Sequence, residues 1–402
     1  MPYLGGMWNP NHSPLWKSFR TNLSKYTCSF SDMLWNDTPM FPSQEDIFQY
    51  LNRYKDKYVS NDIFREGTMV TKVARIKENL FQVMSSNLVT KEEKIEFFES
   101  IIVANGMFGA PILGDGQLQF EGFAGTVIHS KQYLSSSQFK DRNVAIVGAS
   151  FSALEVAVDL CNGNCKSIHI IQPHPTISLP RYVPVKLDSS STSVCPLDLA
   201  FYQVSPDSLS VSCDRREKVF KTPVEYARSN RYLRNLLGEE VTEEVTSPSF
   251  VAISDSYVEL VRSGCIVEHR GRLTKAENKE LFISRDCKKE TNEFSDSSTE
   301  IGEIVKEGEN NISNLSENII ADVDDIILCT GFRPQLDFLD DSILANLKYD
   351  SKESFSPLIL YREMMHPSEP GLYFVGMYRG PYFAVMEMQA VQKYDFFTLR
   401  KP

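Results

Sequence analysis

The 402-residue chain is predicted to be an α/β protein with parallel strands, and three neighbouring features predict it. A β-branched run at 143–147, Asn-Val-Ala-Ile-Val, reads as a buried strand. Gly148 follows where the chain must turn sharply, and Ser152-Ala-Leu-Glu-Val-Ala-Val-Asp-Leu160 has helical spacing that stops at Asn162-Gly163. A further strand at 167–171, Ser-Ile-His-Ile-Ile, completes a β-α-β unit.

A unit of this kind holds a dinucleotide when its turn lets backbone approach the pyrophosphate and its helix N-terminus supplies N–H groups and a positive dipole end. The turn here departs from G-x-G-x-x-G: Ser150 occupies the second glycine position and Ala153 the third. Alanine suits the third position, where close helix-to-strand packing is needed, whereas a serine side chain at the second stands where backbone would meet phosphate. Gly148, Ser150, Ser152, Ala153, Leu154 and Glu155 are the candidate nucleotide contacts. A strand-turn-helix that binds nothing is the competing reading. The strand at 167–171 runs into Gln172-Pro173-His174 with no carboxylate for a ribose 2′-hydroxyl. With Lys166, His174 and Arg181 close in sequence, this favours a 2′-phosphate and hence NADP.

Just ahead of this unit, Phe123-Ala-Gly-Thr-Val-Ile-His-Ser-Lys-Gln-Tyr133 has the form F-x-G-x-x-x-H-x-x-x-Y. Here the chain resembles the flavin-containing monooxygenases, whose identifying sequence has this spacing and place. Other segments extend the resemblance. Gly5-Gly-Met-Trp8 is similar to the G-G-x-W after the second strand of the family's FAD domain, and Thr21-Asn-Leu-Ser-Lys25 and Phe30-Ser-Asp32 are similar to its T-N-x-x-K and F-S-D. Phe41-Pro-Ser-Gln44 and Tyr50-Leu-Asn-Arg-Tyr54 resemble the following helix. Asp325-Ile-Ile-Leu-Cys-Thr-Gly-Phe332 is similar to the strand where the family's chain returns to its FAD domain, and Gly371-Leu-Tyr-Phe-Val-Gly376 with Glu387-Met-Gln-Ala390 to its closing strand and last helix. Baeyer–Villiger monooxygenases carry Trp where this chain has Tyr133, and ornithine N-hydroxylases lack the arrangement. His129 is read as a buried hinge residue rather than an acid or base.

The resemblance implies two Rossmann-like dinucleotide-binding domains, the NADP domain inserted into the FAD domain: 1–136 with 322–402 as the discontinuous FAD-type part, and 137–321 as the insert. It implies FAD and NADP as cofactors. Gly5, Gly6, Met7, Trp8, Thr21, Asn22 and Leu23 are the flavin-side positions, Trp8 lying at the flavin or filling the core. The implied reaction is NADPH- and oxygen-dependent oxygenation of a soft nitrogen or sulfur nucleophile through a flavin C4a-hydroperoxide, the flavin carrying the hard chemistry. Asn22 matches the family residue that hydrogen-bonds near the flavin, a role an amide suits because it donates and accepts without titrating. An Asx turn is its plainer reading.

The family's first strand, its G-x-G-x-x-G turn and its ribose carboxylate would precede Gly5, so the expectation divides. Either the sequence lacks its N-terminus, or the chain is a non-catalytic remnant that binds NADP without a functional flavin site. For residues 1–402 alone, weak or absent FAD binding is expected. A disulfide-reductase relative is disfavoured by the absence of C-x-x-C.

Lys+Arg 42 against Asp+Glu 53 gives a net charge of −11, which argues against nucleic-acid and anionic-membrane partners. The eight cysteines form no metal-ligand spacing, so no metal is expected, and as scattered unpaired thiols they fit a reducing, cytoplasmic setting. No apolar run reaches spanning length. The expected partners are a small nucleophile and molecular oxygen, with a homo-oligomer left open. Residues 286–318, rich in Glu, Ser, Asn and Lys, are expected to form a disordered loop.

Overall fold

The computed structural model describes residues 3–78, 80–113, 118–173, 176–186, 192–201, 250–284, 318–351, 357–358, 360–361, 363–377 and 382–398. The expected loop at 286–318, apart from residue 318, lies outside them, as does His174. The helices used below are α1 (Gln44–Tyr58), α2 (Phe151–Asn162), α3 (Leu197–Phe201) and α4 (Tyr257–Arg262).

At the centre is a five-stranded parallel sheet of β1 (Thr126–His129), β2 (Asn143–Val147), β3 (Ser167–Gln172), β4 (Ile266–Arg270) and β5 (Asp325–Leu328), in spatial order β4-β3-β2-β5-β1. Val144, Ala145 and Ile146 of β2 are fully buried, as a parallel strand covered on both faces must be. Helices α2 and α4 cover one face, where Ala153, Leu154, Val156, Ala157 and Leu160 pack with Tyr257, Trp16, Tyr133 and Phe139. A three-stranded antiparallel sheet, Arg272–Glu277, Glu280–Ser284 and Asn318–Ile320, covers the other through Leu273, Leu281 and Ile283. The β2-α2-β3 unit thus forms where the apolar periodicity put it, with Gly163 closing α2.

Strand β5 lies between β2 and β1. The chain therefore stays in this sheet through Leu328. The hinge is tied to the same framework. His129 is 3% exposed; its Nδ1 accepts from the Lys131 N–H at 3.1 Å, so its Nε2–H donates to the Gly331 carbonyl at 3.1 Å. Both ring nitrogens are used, and burial holds the imidazole below its ordinary pKa, which fits a neutral hinge residue. The Tyr133 hydroxyl donates to Asp159 of α2 at 2.6 Å.

Two further cores each draw on both ends of the chain. One combines Val73, Phe81 and Val103 with Leu336, Ile343, Leu372 and Phe374. The other combines Leu23, Cys28, Ile47 and Tyr50 with Phe383 of the helix Phe383–Thr398. Helix α1 starts at a capping box in which the Ser43 hydroxyl accepts from the Asp46 N–H while the Asp46 carboxylate accepts from the Ser43 N–H. The segment at 30–32 docks on that last helix, where Glu387 accepts from the Ser31 N–H at 2.9 Å.

The expectation of unpaired cysteines is corrected at one pair. Cys161, near the end of α2, is disulfide-bonded to Cys265, just ahead of β4. The two are 104 residues apart and meet only because α2 packs beside α4, so no spacing in the sequence announces the bond. Cys28, Cys165, Cys195 and Cys329 are free thiols. No helix among the described residues is long and apolar enough to cross a membrane.

On β3 and β4 the His169 Nδ1 and His269 Nε2 atoms lie 3.0 Å apart, so one ring N–H donates to the other and the pair must stay at least partly neutral. Burial lowers the pKa of His169, and burial together with its neighbour pushes that of His269 to about 4. Depressed folded-state values mean that the unfolded chain binds more protons between the two values. The stability these groups contribute is thus complete above about pH 6.5 and is lost as pH falls toward 4. Urea midpoints measured from pH 7 to 4 should fall across this window, and His269→Phe should reduce the slope; an unchanged slope would show that the pair contributes nothing.

Candidate functional site

The turn after β2 is built for close approach. Gly148 has φ +109°, its N–H donates to the Ile171 carbonyl at 2.9 Å, and a Cβ added there would stand 2.5 Å from the Cys329 carbonyl oxygen. Only glycine meets both conditions. Helix α2 then begins at Phe151 with Ser150 as N-cap, and the Ser150 hydroxyl makes no capping bond. The N–H groups of Phe151, Ser152 and Ala153 precede the first intrahelical bond, which runs from the Leu154 N–H to the Ser150 carbonyl at 3.1 Å. These three donors with the dipole end suit a pyrophosphate.

Not every expected contact survives. The Leu154 N–H is consumed by that bond, and its side chain, like that of Ala153, is fully buried in the core. Leu154 is therefore a packing residue, and Ala153 offers only its backbone. Glu155 is paired with Arg181, Oε2 to Nη2 at 2.9 Å.

The cations proposed for a 2′-phosphate are also redistributed. Lys166 precedes β3 and sits at the opposite end of that strand from Gln172. Arg181 is 9% exposed and fully engaged: besides Glu155 it meets Asp255 at 3.0 Å, donates from Nε to the Thr21 carbonyl at 3.2 Å, and lies over the Phe41 ring. Neither is placed to meet a phosphate. Arg270, which sequence reasoning missed, is exposed and opposite Gln172 in the β3–β4 pairing. Its position depends on pairing between strands about a hundred residues apart, which no local signal reveals.

On the flavin side, Gly5 lies in the left-handed region and caps the short turn Gly6–Trp8, and the Met7 carbonyl accepts from Gln44 Nε2 of α1 at 2.7 Å. Trp8 and Leu23 pack into the core around Ile47 and Tyr50. Leu23 is thus a core residue, and of the two readings of Trp8 the packing supports core filling. Thr21 is 2% exposed; its N–H donates to the Pro42 carbonyl at 2.9 Å and its hydroxyl to the Leu23 carbonyl at 2.8 Å. Asn22, between two buried neighbours, is itself half-buried, and its carboxamide has no hydrogen-bond partner among the described residues. An Asx turn would have occupied that carboxamide.

The turn around Asn22 is gripped on both sides. Arg181 holds Thr21, while Asp198 of α3 accepts from the Ser24 N–H at 3.0 Å, the Ser24 hydroxyl at 2.7 Å and the Thr27 hydroxyl at 2.5 Å. Arg181 also contacts Glu155 of α2. The two candidate sites, distant in sequence, are joined through one guanidinium.

Residues 4–173 match the family described as flavin-binding monooxygenase-like. The chain is 29% identical over 196 residues to a probable indole-3-pyruvate monooxygenase, YUCCA10, of Arabidopsis thaliana, covering 44% of this chain and 50% of the relative. To trimethylamine monooxygenase of Pelagibacter ubique it is 26% identical over 188 residues, 42% of each chain. The chain spans half or less of the length of these curated relatives. Among solved structures, Tmm from Pelagibacter sp. superimposes with a TM-score of 0.59 at 17% identity, covering all of this chain and 68% of that one. Cyclohexanone monooxygenase from Rhodococcus sp. Phi1, solved with NADP+, also gives 0.59, at 14% identity over 99% of this chain and 78% of that one. These likenesses establish the fold.

Proposed function

We propose that the chain is the nucleotide-binding and oxygen-handling part of an NADPH- and FAD-dependent monooxygenase that oxygenates a soft nitrogen or sulfur nucleophile. The observation that carries this reading is the pairing of a Gly148 turn, whose close approach to Cys329 excludes a side chain, with an Asn22 carboxamide that has no partner among the described residues. The residues fit NADP: the backbone N–H groups of Phe151, Ser152 and Ala153 take the pyrophosphate and Arg270 the 2′-phosphate. They fit the reactive end of a flavin at Asn22, whose turn is held by Pro42 and Arg181. When bound, NADPH supplies a hydride and the flavin activates oxygen.

The work of this chain's own residues is positional. The Gly148 turn and α2 hold the nucleotide, Asn22 offers a donor and an acceptor that do not titrate, and the buried Thr21 and Leu23 keep water from its flanks. The same reading divides the chain into 1–136 with 322–402 and an inserted 137–321, with β1 and β5 of the outer parts completing the insert's sheet and two cores that each draw on residues from both sides of the insert.

The test is an FAD-loaded protein of the relatives' full length, assayed for NADPH oxidation with a tertiary amine and with a thioether. Oxygenated product formed in proportion to NADPH is expected. NADPH binding without flavin-dependent oxidation of either compound would reject the monooxygenase reading.

A further inference from the structure

We infer that Arg181 is a positioning residue that couples nucleotide occupancy at α2 to the conformation of the turn carrying Asn22, with Asp198 as the fixed second grip on that turn. The inference rests on the proposed placement of NADP at the N-terminus of α2.

Arg181 reaches three structural units at once. Its Nη2 meets Glu155 of α2 at 2.9 Å, its Nη1 meets Asp255 ahead of α4 at 3.0 Å, and its Nε–H donates to the Thr21 carbonyl at 3.2 Å. Its backbone is held as firmly: the N–H donates to Asp255 at 2.7 Å, and the carbonyl accepts from the Leu197 N–H at 2.7 Å. That last bond fixes the start of α3 and so the Asp198 carboxylate, which takes three hydrogen bonds from Ser24 and Thr27. The planar guanidinium fork is what makes three directions compatible; a lysine ammonium is a point donor and cannot reproduce them.

The direction of the coupling follows from charge. One guanidinium faces two carboxylates, so the cluster carries an excess negative charge before any ligand arrives. A pyrophosphate drawn to the first turn of α2 adds anionic charge on the Glu155 side, which holds the cationic fork more strongly in place. A better-held fork grips the Thr21 carbonyl more firmly and narrows the motion of Asn22. The turn, already held in the ligand-free protein, is then held more tightly when nucleotide is present, at a site that does not itself touch the nucleotide.

The experiment is hydrogen–deuterium exchange on the 402-residue protein, wild type, Arg181→Lys and Arg181→Met, with and without NADP+ at concentrations shown by calorimetry to saturate each. In the wild type, NADP+ should slow exchange at 148–155 and, by about fivefold or more, at 21–27. In Arg181→Lys the protection at 148–155 should persist while that at 21–27 is lost, and Arg181→Met should behave alike if it folds. Absence of calorimetric binding and of protection at 148–155 in the wild type overturns the nucleotide placement itself. Binding with protection at 148–155 but unchanged exchange at 21–27 overturns the coupling alone, as does protection at 21–27 that survives in Arg181→Lys. An Arg181→Lys protein that no longer binds NADP+ also overturns it, since Arg181 would then belong to the nucleotide site.

Discussion

Gly148→Val is expected to weaken NADP+ binding by at least about 10- to 100-fold, the loss of roughly one hydrogen bond to a charged group at about 1.5–3 kcal/mol. Two effects add. The φ of +109° is closed to a β-branched residue, and the added Cβ would lie 2.5 Å from the Cys329 carbonyl oxygen. That carbonyl belongs to the chain leaving β5 in the middle of the sheet, so it cannot yield cheaply. The turn must shift instead, and it carries with it the start of α2, where Phe151, Ser152 and Ala153 present their N–H groups. Gly148→Ala keeps the clash and most of the strain in a smaller side chain and should fall between the two. Fluorescence titration with NADPH, alongside circular dichroism to show a folded protein, measures the effect; a folded variant of unchanged affinity would place the pyrophosphate elsewhere.

Asn22→Ala should have its large effect on oxygen rather than on hydride. Hydride transfer needs nicotinamide and flavin in register, which the nucleotide site and the fold supply. Keeping activated oxygen productive needs a dry, hydrogen-bonded setting, and losing one preorganised donor typically costs about 10²-fold or more in the step it supports. The turn itself should survive, because Thr21, Ser24 and Thr27 are held by Pro42, Arg181 and Asp198 and not by the Asn22 side chain. In flavin-loaded protein of the relatives' full length, NADPH-dependent flavin reduction should be nearly unchanged while hydrogen peroxide replaces oxygenated product. Unchanged product per NADPH would make Asn22 a structural residue.

What the sequence shows of this fold is what depends on neighbours in the chain. The strand Asn143–Val147, the sharp turn at Gly148 and the helix that follows are fixed by local alternation, a left-handed turn and a 3.6-residue apolar period, and they stand where the pattern put them. The burial and hydrogen bonding of His129 at a strand end were likewise legible. Parallel pairing over long separations leaves no such trace. It sets Asp325–Leu328 between β2 and β1, brings Arg270 beside Gln172, and lets Cys161 meet Cys265. The role of Arg181 was misread for the same reason: nearness in sequence to β3 suggested a phosphate cation, but Glu155, Asp255 and Thr21 converge on it only in three dimensions.

The most direct measurement is isothermal titration of the 402-residue protein with NADP+ and with NAD+. One-to-one saturation by NADP+ is expected, with NAD+ weaker by about tenfold or more because it lacks the 2′-phosphate that makes a charge-assisted hydrogen bond with Arg270. No saturable heat with NADP+ at concentrations up to about 1 mM, where binding would be worth only about 4 kcal/mol, would contradict nucleotide binding at α2 and remove the basis for the proposed reaction.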